Sequence, residues 1–318
     1  MALRCFLLAL FVCGYAFAQD DALLETPVFR SDVQLAVVQF HVTSYNGYVP
    51  GLTASDFRLV EDGRSVPISV FENGSLENQE LPVEVILLLD SSGSVTSKKL
   101  LNEELFRTNL LESLPGVSLS IYHFGSHLVR MTGPTRDPAR IRAAFEGVVQ
   151  RTPGEASVRL GPPYGPSLIY EAVAASIKDA TRVRTVTRKL VVAVSDGLQN
   201  GGAPEPRGTI RYALEAGVPV YPIVVGRGRS LFNTLPANSA AKFASLGERT
   251  GGVDFQVHRL DDETVKRAIE FIADRVRHLY VVGYAPDAQW PPRRRKVEVR
   301  LQTDQKGKLI GGARFVVH

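Results

Sequence analysis

Five oxygen-bearing residues in three separate segments have the chemistry to hold one ion together. They are Asp90, Ser92 and Ser94 in "LLLDSSGSV", Ser167 in "GPSLIY" and Asp196 in "AVSDG". Carboxylate and hydroxyl oxygens suit a hard divalent cation. Mg²⁺ takes oxygen ligands at about 2.0–2.1 Å in near-octahedral geometry and usually keeps waters or accepts oxygens from a ligand. Three hydroxyls and two carboxylates leave such an ion partly satisfied, with a position open to the outside. Taken singly, each of these residues is an ordinary helix cap or turn residue. The inference needs all three segments to arrive at one place.

The flanking patterns say how they arrive there. "EVILLLD" (84–90), "VSLSIYHF" (117–124), "KLVVAVS" (189–195) and "VPVYPIVV" (218–225) are near-continuous apolar runs, as expected for strands covered on both faces. Helical spacing lies between and after them: Phe106, Leu110 and Leu114; Ile169, Val173 and Ile177; Val265, Ile269, Ile272 and Val276. This rhythm predicts an α/β domain with a doubly wound, mainly parallel sheet. Ligands of such sheets bind beyond the carboxyl ends of the strands. Asp90 and Asp196 each stand at such an end, and Ser167 opens the helix "SLIYEAVAASI" after a Gly/Pro-rich loop over 152–166.

The α/β zone is bracketed by β pattern. "VQLAVVQFHV", "DFRLVEDG" and "VPISVF" precede it, with turn signals at Asn46-Gly47 and Asp62-Gly63, and "YVVGYA", "KVEVRLQ" and "ARFVVH" follow it. Three strands alone make a marginal sheet. The N- and C-terminal β segments are therefore expected to join in one β-sandwich into which the α/β domain is inserted. The expected organisation is a signal peptide over 1–18, an N-terminal β segment over 19–80, the α/β domain over 81–278 and a C-terminal β segment over 279–318.

Residues 1–20, "MALRCFLLALFVCGYAFAQD", carry Arg4, an apolar run and small residues at Ala16 and Ala18, the form of a secretory leader cut after Ala18. The apolar run is too short to span a bilayer as a stable helix, so no transmembrane anchor is expected. Export to the periplasm or beyond is. Cys5 and Cys13 are the only cysteines, which leaves the expected mature chain without a disulfide or thiolate site. Losing Arg4 and no acid takes the formal charge from +4 to +3, too mild a balance to argue for nucleic acid. The basic run Arg293, Arg294, Arg295 and Lys296 reads as the solvated start of an edge strand. His123 and His127 straddle Gly125 at a strand end and read as turn residues.

Asp-x-Ser-x-Ser at Asp90, Ser92 and Ser94, followed by Ser167 and by Asp196 in "SDG", resembles the metal-ion-dependent adhesion site (MIDAS) of von Willebrand factor type A domains. The order of segments matches across the α/β zone. The flanks "FRSDVQLAVVQFHV", "GLTASDFRLVEDG", "TGG" (250–252) and "YVVGYAP" look like the acidobacterial VWFA-related family. The resemblance implies that Ser92 and Ser94 ligate the metal through their hydroxyls. Ser167 then stands where most such domains place threonine and binds in the ligand-engaged state, while Asp90 and Asp196 act directly or through water. Serine at 167 keeps the hydroxyl without the χ1 stiffness of threonine, and Pro166 restricts the loop before it. The implied cofactor is Mg²⁺, with Mn²⁺ as a substitute. The implied partner is a protein presenting Asp or Glu to complete the metal's shell.

Three functions fit these residues. In a non-enzymatic binding module the ion recognises an acidic side chain. In a metal-dependent hydrolase it activates water and needs a general base within reach. Glu171, one helical turn past Ser167, is the nearest candidate for that base, and no Gly-x-Ser-x-Gly elbow is present. In the third, the same fold serves as a degenerate scaffold without metal. The binding module fits best, because both aspartates are committed to the ion.

Overall fold

The computed structural model describes residues 35–45, 47–73, 82–91, 116–160, 168–182, 187–197, 206–225, 234–257, 262–287, 293–302 and 307–317. The expected leader, the helix through Phe106, Leu110 and Leu114, and the candidate ligands Ser92, Ser94 and Ser167 lie outside the described residues.

In chain order the first strands are β1 (Ala36–Ser44), β2 (Gly47–Tyr48), β3 (Phe57–Glu61), β4 (Arg64–Val66) and β5 (Val70–Glu72). The α/β portion follows with β6 (Val83–Asp90), β7 (Val117–Phe124), β8 (His127–Thr135), α1 (Pro138–Gln150), β9 (Ala156–Arg159), α2 (Ile169–Ala180) and β10 (Arg188–Ser195). It continues through α3 (Arg207–Ala216), β11 (Val220–Val225), α4 (Thr234–Ala244), α5 (Leu246–Thr250), β12 (Phe255–Val257) and α6 (Asp262–Arg277). The last strands are β13 (Tyr280–Tyr284), β14 (Arg294–Leu301), β15 (Lys308–Gly311) and β16 (Ala313–Val317).

The central sheet has the order β12-β11-β10-β6-β7-β8-β9, in which β12 through β7 run parallel and β8 and β9 are antiparallel additions. Every residue of β6 and of β10 is buried, because helices cover both faces. Alternation divides β6 between two cores. Val85, Leu87 and Leu89 pack under Ile141, Phe145, Ile269 and Ile272 of α1 and α6, whereas Ile86 and Leu88 pack under Ile169, Val173 and Ile177 of α2. Helix α1 starts where Asp137 accepts from Ala139 N–H at 2.9 Å with Pro138 next, and it stops at Arg151 in the left-handed conformation.

The β flanks interleave as expected. One antiparallel sheet runs β15-β1-β13-β5, with β2 on β1, and the other runs β16-β14-β3-β4. Both contribute to one core, in which Phe40 of β1 meets Phe57 of β3 edge-on at 5.0 Å and stacks on Tyr280 of β13 at 5.7 Å. Asp62 and Gly63 both have positive φ, which closes the β3–β4 hairpin in a two-residue turn.

Three local expectations are corrected. The Gly/Pro-rich loop contains the short strand β9, which pairs with β8. The C-terminal segment holds a fourth strand, β15, too short and mixed in pattern to stand out. The basic run does not start an edge strand: β14 lies between β16 and β3, and Arg295 is buried against Glu61 at 3.4 Å. Its charge is absorbed by a carboxylate that also accepts from the Tyr284 hydroxyl at 2.6 Å.

Candidate metal centre

The chain leaves β6 toward β7 on one side of the sheet and returns at β10 on the other, so the strand order reverses between β6 and β10. A crevice opens at such a switch point beyond the carboxyl ends. Asp90 is the last residue of β6 and Asp196 follows the last residue of β10. The register pairs Leu89 with Val194, which brings the two carboxyl-bearing ends level on neighbouring strands.

Ser195 ties the two segments together. Its hydroxyl donates to Asp90 Oδ2 at 2.6 Å and accepts from Gly197 N–H at 3.1 Å, so the Asp90 carboxylate is linked to the turn that carries Asp196. Asp90 is 1% and Asp196 6% exposed. Both carboxylates are thus held largely out of water at adjacent strand ends. Gly197 has φ 70°, and a Cβ there would lie 3.0 Å from Ala240 Cα in α4. The turn after Asp196 is thus packed as well as bent.

On the β7 side, Ser91 N–H and the Ser91 hydroxyl both donate to Phe124 O, at 2.9 and 2.8 Å. His123 Nδ1 meets Ser91 Oγ at 3.2 Å, and Arg151 Nη2 donates to Ser91 O at 3.2 Å. Burial, together with the nearby Arg151 cation, holds the His123 pKa below the ordinary histidine range. His123 is therefore a buried strand residue and not a turn residue. His127 is exposed and its Nδ1 lies 3.1 Å from Ser126 Oγ. The two histidines pair with Val129 and Arg159 respectively and form no joint site.

Among the described residues, no three His, Cys, Asp or Glu side chains gather as a metal cluster. The donor set at these neighbouring strand ends is oxygen: the carboxylate of Asp90, which accepts from Ser195, and that of Asp196. That set fits a hard cation such as Mg²⁺ and offers nothing to a soft one. Glu171 is half-buried in the first turn of α2. Sequence reasoning missed Ser195, Ser91, His123 and Arg151 as parts of the site. The signal for Ser195 was present, since it precedes Asp196 in the same "SDG". His123 comes into view only once β7 is aligned beside β6.

Residues 85–199 match the family model described as the von Willebrand factor type A domain. No curated protein matches the chain. Among solved structures the chain is similar to a von Willebrand factor type A protein from Catenulispora acidiphila, at 11% identity and TM-score 0.45 over 91% of this chain and 75% of that one. It is also similar to the conserved hypothetical protein BatB from Bacteroides thetaiotaomicron, at 16% identity and TM-score 0.42 over 60% and 99%. A third likeness is to the vWF domain of the type V pili tip protein Mfa5 from Porphyromonas gingivalis, at 13% identity and TM-score 0.41 over 62% and 95%. Among the described residues, no helix is long and apolar enough to cross a membrane.

Proposed function

We propose that the chain, whose residues 85–199 match the von Willebrand factor type A domain model, is an exported, non-enzymatic binding protein that recognises an acidic side chain of a protein partner through a bound Mg²⁺. The observation that carries this reading is the placement of Asp90 and Asp196 at the switch point, joined through Ser195. Asp90, Asp196, Ser92, Ser94 and Ser167 are the residues that hold the ion in this reading. The chemistry a bound Mg²⁺ supplies is a coordination position open to an external carboxylate oxygen.

The chain's own residues do the rest. Ser195 fixes the Asp90 carboxylate by donating to its Oδ2. The rigid parallel strands keep the two acid groups from separating. The leader-type residues 1–18 support export.

The test is thermal melting across a Mg²⁺ series, joined to capture of an Asp- or Glu-bearing peptide pool in Mg²⁺ and in chelator. Stability should rise by about 0.4 kcal/mol when Mg²⁺ equals its dissociation constant and by about 2.7 kcal/mol at a hundredfold excess. Acidic peptides should be retained in Mg²⁺ alone. Melting that ignores Mg²⁺, or capture that is equal in chelator, would sink the reading.

A further inference from the structure

Ser91 stands between Asp90 and Ser92, and each of its polar atoms is engaged. Its N–H and hydroxyl go to Phe124 O, its Oγ faces His123 Nδ1 and its carbonyl takes the Arg151 guanidinium. The serine hydroxyl has one hydrogen. Phe124 O can only accept, and it lies at 2.8 Å, so that hydrogen is spent there. The 3.2 Å contact to His123 must then run the other way, from Nδ1–H to Ser91 Oγ. This fixes the tautomer and leaves Nε2 as a bare acceptor, buried and without a hydrogen-bond partner.

A buried acceptor left unmade costs stability. Leucine would fill the space at 123, where the side chain belongs to a residue only 7% exposed, without that cost. The contribution of the imidazole has to lie in the Nδ1–H it gives Ser91. Arg151, which caps the C-terminus of α1 in the left-handed conformation, reaches the same residue: its guanidinium donates to the Ser91 carbonyl at 3.2 Å.

We propose that His123 is a positioning residue for Asp90: its Nδ1–H holds Ser91, and through Ser91 it sets the backbone at the end of β6 that carries Asp90. Arg151 clamps the same residue from its other side. This rests on the metal-binding reading above. The end of β6 is thereby held before any ion arrives, which is the role outer partners play at metal sites.

The experiment is Mn²⁺ titration of wild type, His123→Leu, His123→Asn and Ser91→Ala, with melting of each in EDTA and ¹⁵N NMR of the wild-type imidazole. An asparagine Nδ2 sits where the histidine Nδ1 does, so His123→Asn should bind within about threefold of wild type. His123→Leu and Ser91→Ala should bind at least about tenfold more weakly, the usual effect of losing an outer partner. His123→Leu should melt in EDTA no lower than wild type, and the NMR should show the proton on Nδ1. Wild type that binds no Mn²⁺ overturns both this inference and the metal reading. Wild type and His123→Leu binding alike overturns the positioning role alone, as does His123→Asn behaving like His123→Leu, or a proton on Nε2. Should His123→Leu fail to fold, Ser91→Ala binding like wild type overturns it.

Discussion

A serine hydroxyl and a glycine decide how the carboxylates at the sheet edge are presented. Ser195 cannot be replaced by alanine without freeing one Asp90 oxygen from its 2.6 Å donor, and Gly197 cannot take a side chain without a left-handed strain and a close approach to Ala240 Cα. The left-handed region alone costs a non-glycine residue about 1–2 kcal/mol. Gly197→Ala should lower unfolding free energy by about 2 kcal/mol in urea denaturation, with α4 displaced; an unchanged midpoint would show that the turn relaxes freely. These two residues also mark the limit of what the sequence offers at this scale. Asp90 and Asp196 were legible because each interrupts an aliphatic run. His123 was not, because its meaning depends on Ser91, 32 positions away just past the end of the neighbouring strand β6.

At the level of elements, the parallel strands were legible from their unbroken apolar runs, and α2 and α6 from their spacing. Strands β8 and β9 were hidden because β8, "HLVRMTGPT", mixes polar residues, a glycine and a proline into a half-exposed pattern. The interior place of β14 was hidden too, since β3 and β16 reach it from opposite ends of the chain. That placement buries Arg295 against Glu61, so Glu61→Leu should destabilise by about 3 kcal/mol by leaving a buried cation unpaired. Glu61→Leu with Arg295→Leu should recover most of the loss in the same denaturation assay, and failure to recover would mean that the Tyr284 bond, not the ion pair, dominates. Strand β1 is paired on both sides by C-terminal strands, β13 and β15. A chain ending at Leu279 should therefore lose the protease resistance of residues 35–72, and a protected fragment there would contradict the shared sandwich.

For the molecule as a whole, the β-sandwich and the α/β portion meet through buried and half-buried polar contacts: Arg188 with Glu72 at 3.5 Å, Gln39 Nε2 donating to Gly217 O at 2.9 Å, and His41 Nδ1 against His278 O at 3.2 Å. His41 is fully buried, and burial first, with Arg275 and His278 nearby, lowers its pKa from 6.5 to about 4. In the unfolded chain this imidazole takes up a proton near pH 6.5, in the fold only near 4. Between those values the unfolded state holds more protons, so stability falls as pH drops through that window, by about 3 kcal/mol in all. His41→Asn, which keeps a donor at the Nδ position, should flatten that limb in melting curves taken from pH 7 to 4, and an unchanged limb would assign it elsewhere. The central claim concerns the other end of the sheet, and calorimetric titration with Mg²⁺ of wild type and Asp90→Ala reaches it most directly. Asp90→Ala removes a carboxylate at a strand end and should stay folded. The expected result is saturable Mg²⁺ binding by wild type and none by Asp90→Ala; equal responses from the two proteins would make Asp90 a strand-ending residue and no metal ligand.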